Sequence, residues 1–256
     1  MTERQLILLK DLVVTHARAS ALWLAAVCLA VNNPSTCYAQ LVFVADGAGD
    51  FRCCSTMLRR AAKETGSPLD VETFVWSHGY GRSFADQMDT VHALAQGEQL
   101  ARVVRARLAS DAGLRINLVG HSAGCGVVLV AAQHLPPESI GCMVMLAPSV
   151  PADTDLAAAL RATRDGIHVF CSHEDRWLMR AAGILEWFKS GRLRPTAGIA
   201  GFRPVTSSGA DPFLVRLRTY PWSQSLTYFG HDGGHFGGYQ PAFVQAFVLP
   251  LLAGKP

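Results

Sequence analysis

A serine lies between two glycines where an apolar strand pattern gives way to a helical one. Residues 120–124 (GHSAG) follow the apolar run Ile116–Gly120 and open a helical pattern over Ala123–His134. In a G-x-S-x-G turn the glycines leave room for a strained serine whose hydroxyl projects above the sheet. A helix N-terminus beneath that hydroxyl also favours negative charge that develops during a reaction. The pattern therefore predicts that Ser122 is a nucleophile on a strand–turn–helix unit.

The elements that must position this serine alternate between short apolar runs and longer helical patterns. We predict strands at Leu41–Ala45, Val71–Trp76, Ile116–Gly120, Cys142–Ala147, Ile167–Cys171 and Leu226–Phe229. We predict helices at Cys53–Glu64, Glu98–Ser110, Ala123–His134, Asp155–Arg161, Trp177–Phe188 and Pro241–Leu252. Strands that are apolar throughout are typical of a sheet covered on both faces, which also raises the mean hydropathy to +0.20. The expected fold class is α/β, a three-layer α/β/α sandwich around a mostly parallel sheet.

Two stretches do not follow this alternation. Ser77–Gln96 follows the second predicted strand, and Ser190–Ser225 is rich in Gly, Pro and Ser with isolated aromatic residues. Long irregular segments in compact domains are usually functional or disordered. We expect both stretches to form walls over a site.

From Leu41 to the C-terminus the chain resembles the α/β-hydrolase superfamily of serine hydrolases. In that family the nucleophile is followed by an acid after a later strand and by a histidine after the last strand. Here Ile167–Cys171 runs into residues 172–176 (SHEDR), and Leu226–Phe229 runs into residues 230–236 (GHDGGHF). The resemblance implies the α/β-hydrolase fold and a Ser-His-Asp triad that needs no cofactor.

The resemblance assigns the acid and the base, each with an alternative. The acid of the family stands just before a helix, which favours Asp175, with Glu174 as the alternative. His235 lies in a Gly-rich loop and is similar to the family's catalytic histidine; His231, nearer the predicted strand, is the alternative. We expect Asp175 to orient His235, and His235 to remove the proton of Ser122. His231 and His235 are also spaced like a metal pair, but no helix aligns them, so no metal is expected.

An oxyanion hole needs two backbone N–H donors near the serine. One should come from Ala123, the residue after the nucleophile, and the other from the loop after an earlier strand. The run Leu41–Ala45 leads into residues 46–50 (DGAGD). This loop resembles the family's His-Gly turn with Asp46 in place of the histidine. We predict Ala48 as the second donor and Gly47 as the alternative.

Further residues at the same edge are predicted to contact substrate. The segment Ser77–Arg82 leaves the carboxyl end of a predicted strand, which is the functional edge of an open α/β sheet. His78 and Arg82 are the candidates for a substrate contact from this segment, and a plain surface loop is the default interpretation. Gly47 and His121, beside the serine, complete the predicted contacts.

The charge balance bears on the class of partner. The chain has 23 Lys+Arg and 20 Asp+Glu, a net charge of +3, and its basic residues are scattered. A nucleic-acid partner would require a concentrated basic face and is not expected. The weak charge and the aromatic residues of Ser190–Ser225 favour a small, partly apolar ester. We therefore expect a carboxylesterase-like or lipase-like serine hydrolase. A peptidase or thioesterase with the same triad, or a non-catalytic binding protein of the same fold, is the alternative.

The N-terminal residues contain an uncharged apolar run ahead of the first predicted strand. The apolar run Ala19–Val31 is shorter than the roughly 20 residues that span a bilayer. It suits the apolar region of a secretory signal with cleavage near Ala39, and a helix that packs on the domain or anchors it to a membrane surface is the alternative. Residues 1–39 are thus expected to be a signal-like or anchoring segment ahead of a hydrolase domain at 40–256. The protein would then be secreted, periplasmic or membrane-anchored; a cytoplasmic location stays open.

Overall fold

The computed structural model describes residues 40–175, 191, 194–203 and 212–254. The segment 1–39 and the predicted helix Trp177–Phe188 therefore lie outside the described residues. The strands are β1 (Gln40–Ala45), β2 (Leu69–Thr73), β3 (Arg115–His121), β4 (Ile140–Leu146), β5 (Thr163–Cys171) and β6 (Leu217–Pro221). The main helices are α1 (Cys53–Glu64), α2 (Ser83–Met88), α3 (Thr90–Ser110), α4 (Gly124–Gln133), α5 (Ala157–Ala162) and α6 (Ala197–Ala200). Near the C-terminus α7 (Pro241–Phe243), a π-helical turn (Val244–Val248) and α8 (Leu249–Leu252) follow one another directly.

The six strands form one parallel sheet in the order β2-β1-β3-β4-β5-β6. Alternate residues of each central strand face opposite sides of the sheet. On β1, Leu41 and Phe43 belong to a core that includes residues of α3, α4 and α5. Val42 and Val44 belong to a second core with α1, α7 and the π-helical turn. Both faces are covered, so the predicted three-layer α/β/α sandwich is confirmed.

The strands stay parallel, but the side on which the next strand is added changes between β1 and β3. β2 lies on one side of β1 and β3 on the other, and Ala45 at the end of β1 pairs with Gly120 of β3. The helix after β1 covers one face and the helix after β3 covers the other. The two connections therefore diverge and leave a crevice at the carboxyl ends of the strands, where α/β proteins bind ligands. This order, with the serine turn after β3, is the α/β-hydrolase fold.

The last strand differs from its prediction. Residues Gln224–Phe229 form a 3₁₀-helix, so the predicted strand Leu226–Phe229 is wrong, and Leu217–Pro221 takes its place as β6. Within the described sheet β6 lies at the edge, and each of its residues is half-buried or exposed. An edge strand needs no continuous apolar run, and this one lies within the stretch that we predicted to be irregular.

The stretch Ser77–Gln96 also contains more regular structure than predicted. It includes α2 and the first part of α3. The side chain of Asp89 accepts a hydrogen bond from the backbone N–H of His92, which caps the start of α3. The helix therefore begins at Thr90, ahead of the predicted start at Glu98. Residues 77–82 alone remain an irregular loop.

Candidate active site

Ser122 occupies a strained turn between β3 and α4. Its φ is 53°, in the left-handed region that residues with a side chain rarely adopt. A Cβ at Gly124 would lie 2.2 Å from the carbonyl oxygen of Ala45, and one at Gly120 would lie 2.6 Å from the Cα of Cys125. Both flanking positions therefore require glycine. The surrounding structure thus holds Ser122 in the strained turn that the G-x-S-x-G pattern predicts.

A cavity of about 400 Å³ lies against this turn. Its walls come from the loop after β1, the start of α1, the helix α2, the serine turn and the segment that begins at His235. Ser122 and His235 both line it, as do the aromatic rings of Phe51, Phe236 and Tyr239. A hydroxyl and an imidazole thus face one space that also offers apolar surface for a ligand.

Asp175 and His235 form a buried pair. Asp175 follows the end of β5, and its Oδ2 lies 2.6 Å from Nδ1 of His235. Their side chains are 3% and 6% exposed, so little water competes for this hydrogen bond. Within the described residues no hydrogen bond joins the Ser122 hydroxyl to His235. Such bonds often tighten only when substrate is bound. The pair leaves Nε2 of His235 as the ring nitrogen available to the serine.

The alternative acid and base make other contacts. Glu174 is exposed, and its carboxylate lies 3.1 Å from Nε2 of His173. His231 is buried, and its Nδ1 accepts the backbone N–H of Gly233 at 3.1 Å. Its ring packs edge-on against Phe243, and burial lowers its pKa. The structure therefore brings Asp175 and His235 together, and it gives Glu174 and His231 separate partners.

His121 contacts the main chain of His235. Its Nε2 lies 3.1 Å from the His235 carbonyl oxygen, which can only accept a hydrogen bond. Burial, together with the nearby His235, lowers the pKa of His121 to about 3, so its neutral ring donates from Nε2. The ring also packs edge-on against Tyr239. His121 lines the cavity, where a substrate contact was predicted, and it also supports the position of His235.

The loop after β1 lies directly beside the serine. Gly47 and Ala48 line the cavity, and a Cβ at Gly47 would lie 3.0 Å from Nδ1 of His121 and 3.4 Å from the Cβ of Ser122. In the part of the chain that the structure describes, the N–H groups of Gly47, Ala48 and Ala123 have no hydrogen-bond acceptor. The predicted donors Ala48 and Ala123, and the alternative Gly47, thus all remain for a ligand beside Ser122.

Asp46, where the resemblance implies a histidine, has a buried carboxylate. Its Oδ1 accepts the backbone N–H of Ser55 at 3.1 Å, and its carbonyl oxygen accepts Nε1–H of Trp76 at 2.8 Å. Its Oδ2 is buried and has no hydrogen-bond partner among the described residues. Burial raises the pKa of this carboxyl group. Asp46 thus fastens the start of the loop, with one oxygen unsatisfied.

The predicted substrate contact His78 has other partners. Its ring nitrogens lie 2.9 Å from Asp86 and 3.3 Å from Asp89, and its ring lies 3.9 Å from that of His92. Among the described residues that line the cavity His78 and Arg82 do not occur. Asp86 is the residue of this region that the sequence did not indicate. It lies in α2, a segment that we predicted to be irregular, so no helix pattern drew attention to it.

A metal-binding cluster and a membrane-spanning helix are both absent from the described residues. In those ranges no three His, Cys, Asp or Glu side chains are grouped so that they could hold a metal ion. Over the same ranges no helix combines the length and the apolar character needed to cross a membrane.

Comparisons with known proteins found weak structural likenesses only. No protein-family model and no curated protein matches the sequence. A cutinase-like protein from Cryptococcus sp. is 13% identical with a TM-score of 0.49, over 86% of this chain and 96% of that chain. The catalytic core domain of acetyl xylan esterase from Trichoderma reesei is 10% identical with a TM-score of 0.47, over 86% and 100%. Another acetylxylan esterase is 14% identical with a TM-score of 0.44, over 82% and 98%. The assignment of the fold and of the site therefore rests on the geometry of this chain.

Proposed function

We propose that this protein is a serine hydrolase that cleaves a carboxylic ester through an acyl-enzyme intermediate. The observation that carries the proposal is one cavity lined by both Ser122, in its strained turn, and His235, whose Nδ1 is hydrogen-bonded to buried Asp175. A nucleophile, a base and a group that orients the base are the parts that acyl transfer requires.

In the first half of the reaction, Ser122 Oγ attacks the carbonyl carbon and its proton passes to Nε2 of His235. Asp175 holds the Nδ1–H and stabilises the imidazolium. The N–H groups of Ala48 and Ala123 donate to the oxyanion of the tetrahedral intermediate. Collapse of this intermediate breaks the bond to the alcohol, which takes the proton from His235 and leaves.

In the second half, His235 removes a proton from water, and the resulting hydroxide attacks the acyl-Ser122 carbonyl. The second tetrahedral intermediate uses the same two N–H donors. Its collapse releases the carboxylic acid and returns the proton to Ser122. Three rings, those of Phe51, Phe236 and Tyr239, favour an acyl or alcohol group with apolar surface.

Covalent labelling tests this proposal. A fluorophosphonate probe should modify the wild-type protein, and peptide mass spectrometry should place the adduct on Ser122. Ser122→Ala should lose the adduct and lose p-nitrophenyl ester turnover by about 1000-fold or more. Ser139→Ala is a matched control, because Ser139 is half-buried, does not line the cavity, and donates its hydroxyl to the Pro136 carbonyl. It should keep both the adduct and the turnover.

A panel of substrates that share one acyl group then tests which type of bond is cleaved. Matched esters, thioesters and amides of one acyl group should give the highest kcat/KM for the ester. An amide or thioester preference would favour the peptidase or thioesterase alternative. An unlabelled wild-type protein without turnover would contradict the hydrolase and favour the binding protein.

A further inference from the structure

The loop that carries the proposed oxyanion donor has an unusual backbone. Gly49, Asp50 and Arg52 all have positive φ, at 97°, 52° and 53°. Such conformations cost about 1–3 kcal/mol each outside glycine and persist only where surrounding contacts hold them. Gly49 has no room for a side chain either, since a Cβ there would lie 2.3 Å from Oγ of Ser83. Contacts with neighbouring residues must therefore hold the loop in this conformation.

The carboxylate of Asp86 accepts four hydrogen bonds, one of them from this loop. The residue is 4% exposed. Its Oδ2 accepts the backbone N–H of Gly49 at 2.7 Å and the hydroxyl of Ser77 at 2.6 Å. Its Oδ1 accepts the backbone N–H of His78 at 2.8 Å and faces Nδ1 of the same residue at 2.9 Å. One carboxylate thus joins the loop after β1 to the loop after β2.

These donors also keep the carboxylate charged. Burial alone would raise the pKa of Asp86, but its hydrogen bonds with Ser77, His78 and Gly49 outweigh burial, and the net effect is a lowered pKa. A charged acceptor binds an N–H more strongly than a neutral one does. The bond to Gly49 therefore has the character needed to hold a strained loop.

The contacts fix one peptide unit at both ends. The carbonyl of Ala48 and the N–H of Gly49 belong to the same planar peptide. Asp86 accepts the N–H, and the hydroxyl of Ser83 donates to the carbonyl at 3.2 Å. With this plane fixed, the preceding peptide, which carries the Ala48 N–H, can rotate far less. Ala48 lines the cavity, so the orientation of its N–H relative to that space depends on α2.

We propose that Asp86 is a positioning residue for the oxyanion hole: its bond to Gly49 orients the Ala48 N–H toward the tetrahedral intermediate. The role rests on the proposed function, and Asp86 itself does not touch the substrate. It acts through the Ala48–Gly49 peptide. Its effect therefore belongs to the transition state and not to ground-state binding of the ester.

Asp86→Asn tests the role, because asparagine has nearly the same shape but turns one acceptor into a donor that faces existing donors. We expect kcat to fall about 10- to 100-fold, part of the loss caused by removal of a whole oxyanion donor, while KM changes less than about threefold. Affinity for a trifluoromethyl ketone, which forms an oxyanion adduct with the serine, should fall by a similar factor. The backbone amide proton of Gly49 should move upfield in the NMR spectrum.

Asp89→Asn is the matched control. Asp89 also contacts His78 and accepts a backbone N–H from His92, but it makes no contact with the loop after β1. It should leave kcat, ketone affinity and the Gly49 resonance unchanged. Ser83→Ala removes the other hydrogen bond that holds the same peptide. Because Ser83 also lines the cavity, its loss can change KM, but kcat should fall by a larger factor than KM changes. This variant is the test if Asp86→Asn does not fold.

Three outcomes would overturn the role of Asp86: unchanged kcat in Asp86→Asn, equal losses of kcat in the Asp86 and Asp89 variants, or unchanged kcat in Ser83→Ala where Asp86→Asn is unfolded. Each requires an active wild-type enzyme. A wild type without ester turnover or Ser122 labelling would instead defeat the proposed function itself, so the two failures are distinguishable.

Discussion

His235 is held both at its ring and at its main chain. Asp175 accepts from Nδ1 at 2.6 Å, and His121 donates to the carbonyl oxygen at 3.1 Å. Because the pKa of His121 is lowered to about 3, this ring stays neutral at the pH at which a serine hydrolase works. The support that it gives to His235 therefore does not change with pH in that range.

The two histidines of the Gly-rich loop should respond differently to truncation. His235→Ala should lower kcat by about 1000-fold or more, because it removes the proposed base, and it should also lower the thermal midpoint, because the buried Asp175 carboxylate loses its hydrogen bond to Nδ1. His231→Ala should lower the thermal midpoint and keep most of kcat, because His231 accepts from Gly233 and packs on Phe243. Steady-state kinetics and thermal unfolding of both variants check this. The reverse pattern would make His231 the base.

Residue types and chain order predicted the serine, its acid and its base, but they could not predict Asp86. Ser122 carries a local signal because its neighbours at 120 and 124 must be glycine for steric reasons. Asp86 carries none, since it acts on Gly49 through a single hydrogen bond between positions 37 residues apart. Asp175 and His235 are also far apart in the chain, and only the resemblance to a family predicted that they form a pair.

At the scale of elements, the strand ends bring the site together. The turn after β3 and the loop after β1 begin side by side, because Ala45 and Gly120 are paired in the sheet. The start of α4 then lies against the end of β1. The close approach of Gly124 to the Ala45 carbonyl is the contact that sets this spacing.

Two glycines of α4 provide a matched test of that contact. Gly124→Ala should lower the free energy of unfolding by about 1–3 kcal/mol or more and disturb the serine turn, because its Cβ would lie 2.2 Å from the Ala45 oxygen. Gly126→Ala should raise it by about 0.5–1 kcal/mol, because its Cβ would lie 3.9 Å from Val150 and alanine favours a helix. Urea denaturation measures both. Equal stability of the two variants would contradict the steric argument.

Burial explains which elements the sequence could predict. The runs at β1, β3, β4 and β5 are apolar because both faces of the sheet are covered, and each predicted strand overlaps the observed one. The edge strand β6 is largely exposed and ends in Pro221, so it lacks that signal. Residues 226–229 (LTYF) have strand-forming types but lie in a 3₁₀-helix beyond the sheet, which shows that tertiary context overrides propensity there.

At the scale of the whole molecule, the site adds a pH-dependent term to folding. Burial raises the pKa of Asp46 above its value in the unfolded chain. The carboxyl group therefore favours the folded state when it is protonated, and this contribution is lost as pH rises through the folded pKa. The buried Oδ2, which has no partner among the described residues, is the physical source of that loss.

Asp46→Asn should reveal this term, because asparagine retains an acceptor for the Ser55 N–H but cannot ionise. The thermal midpoint of the variant minus that of the wild type should become more positive from about pH 4 towards neutral pH. Thermal unfolding across this range measures the difference. Asp70→Asn is the control: Asp70 is exposed on β2, so this variant shows the effect of removing one carboxylate charge without changing a buried group. A constant or falling difference would contradict the assignment.

The contact between Asp175 and His235 joins positions 60 residues apart, and β6 lies between them in the chain. A nascent or refolding chain cannot assemble the pair until the residues around His235 have been made and have docked on the sheet. Recovery of catalysis after dilution from denaturant should therefore lag behind recovery of secondary structure. The rate at which catalysis returns would thus report when the residues around His235 dock on the sheet.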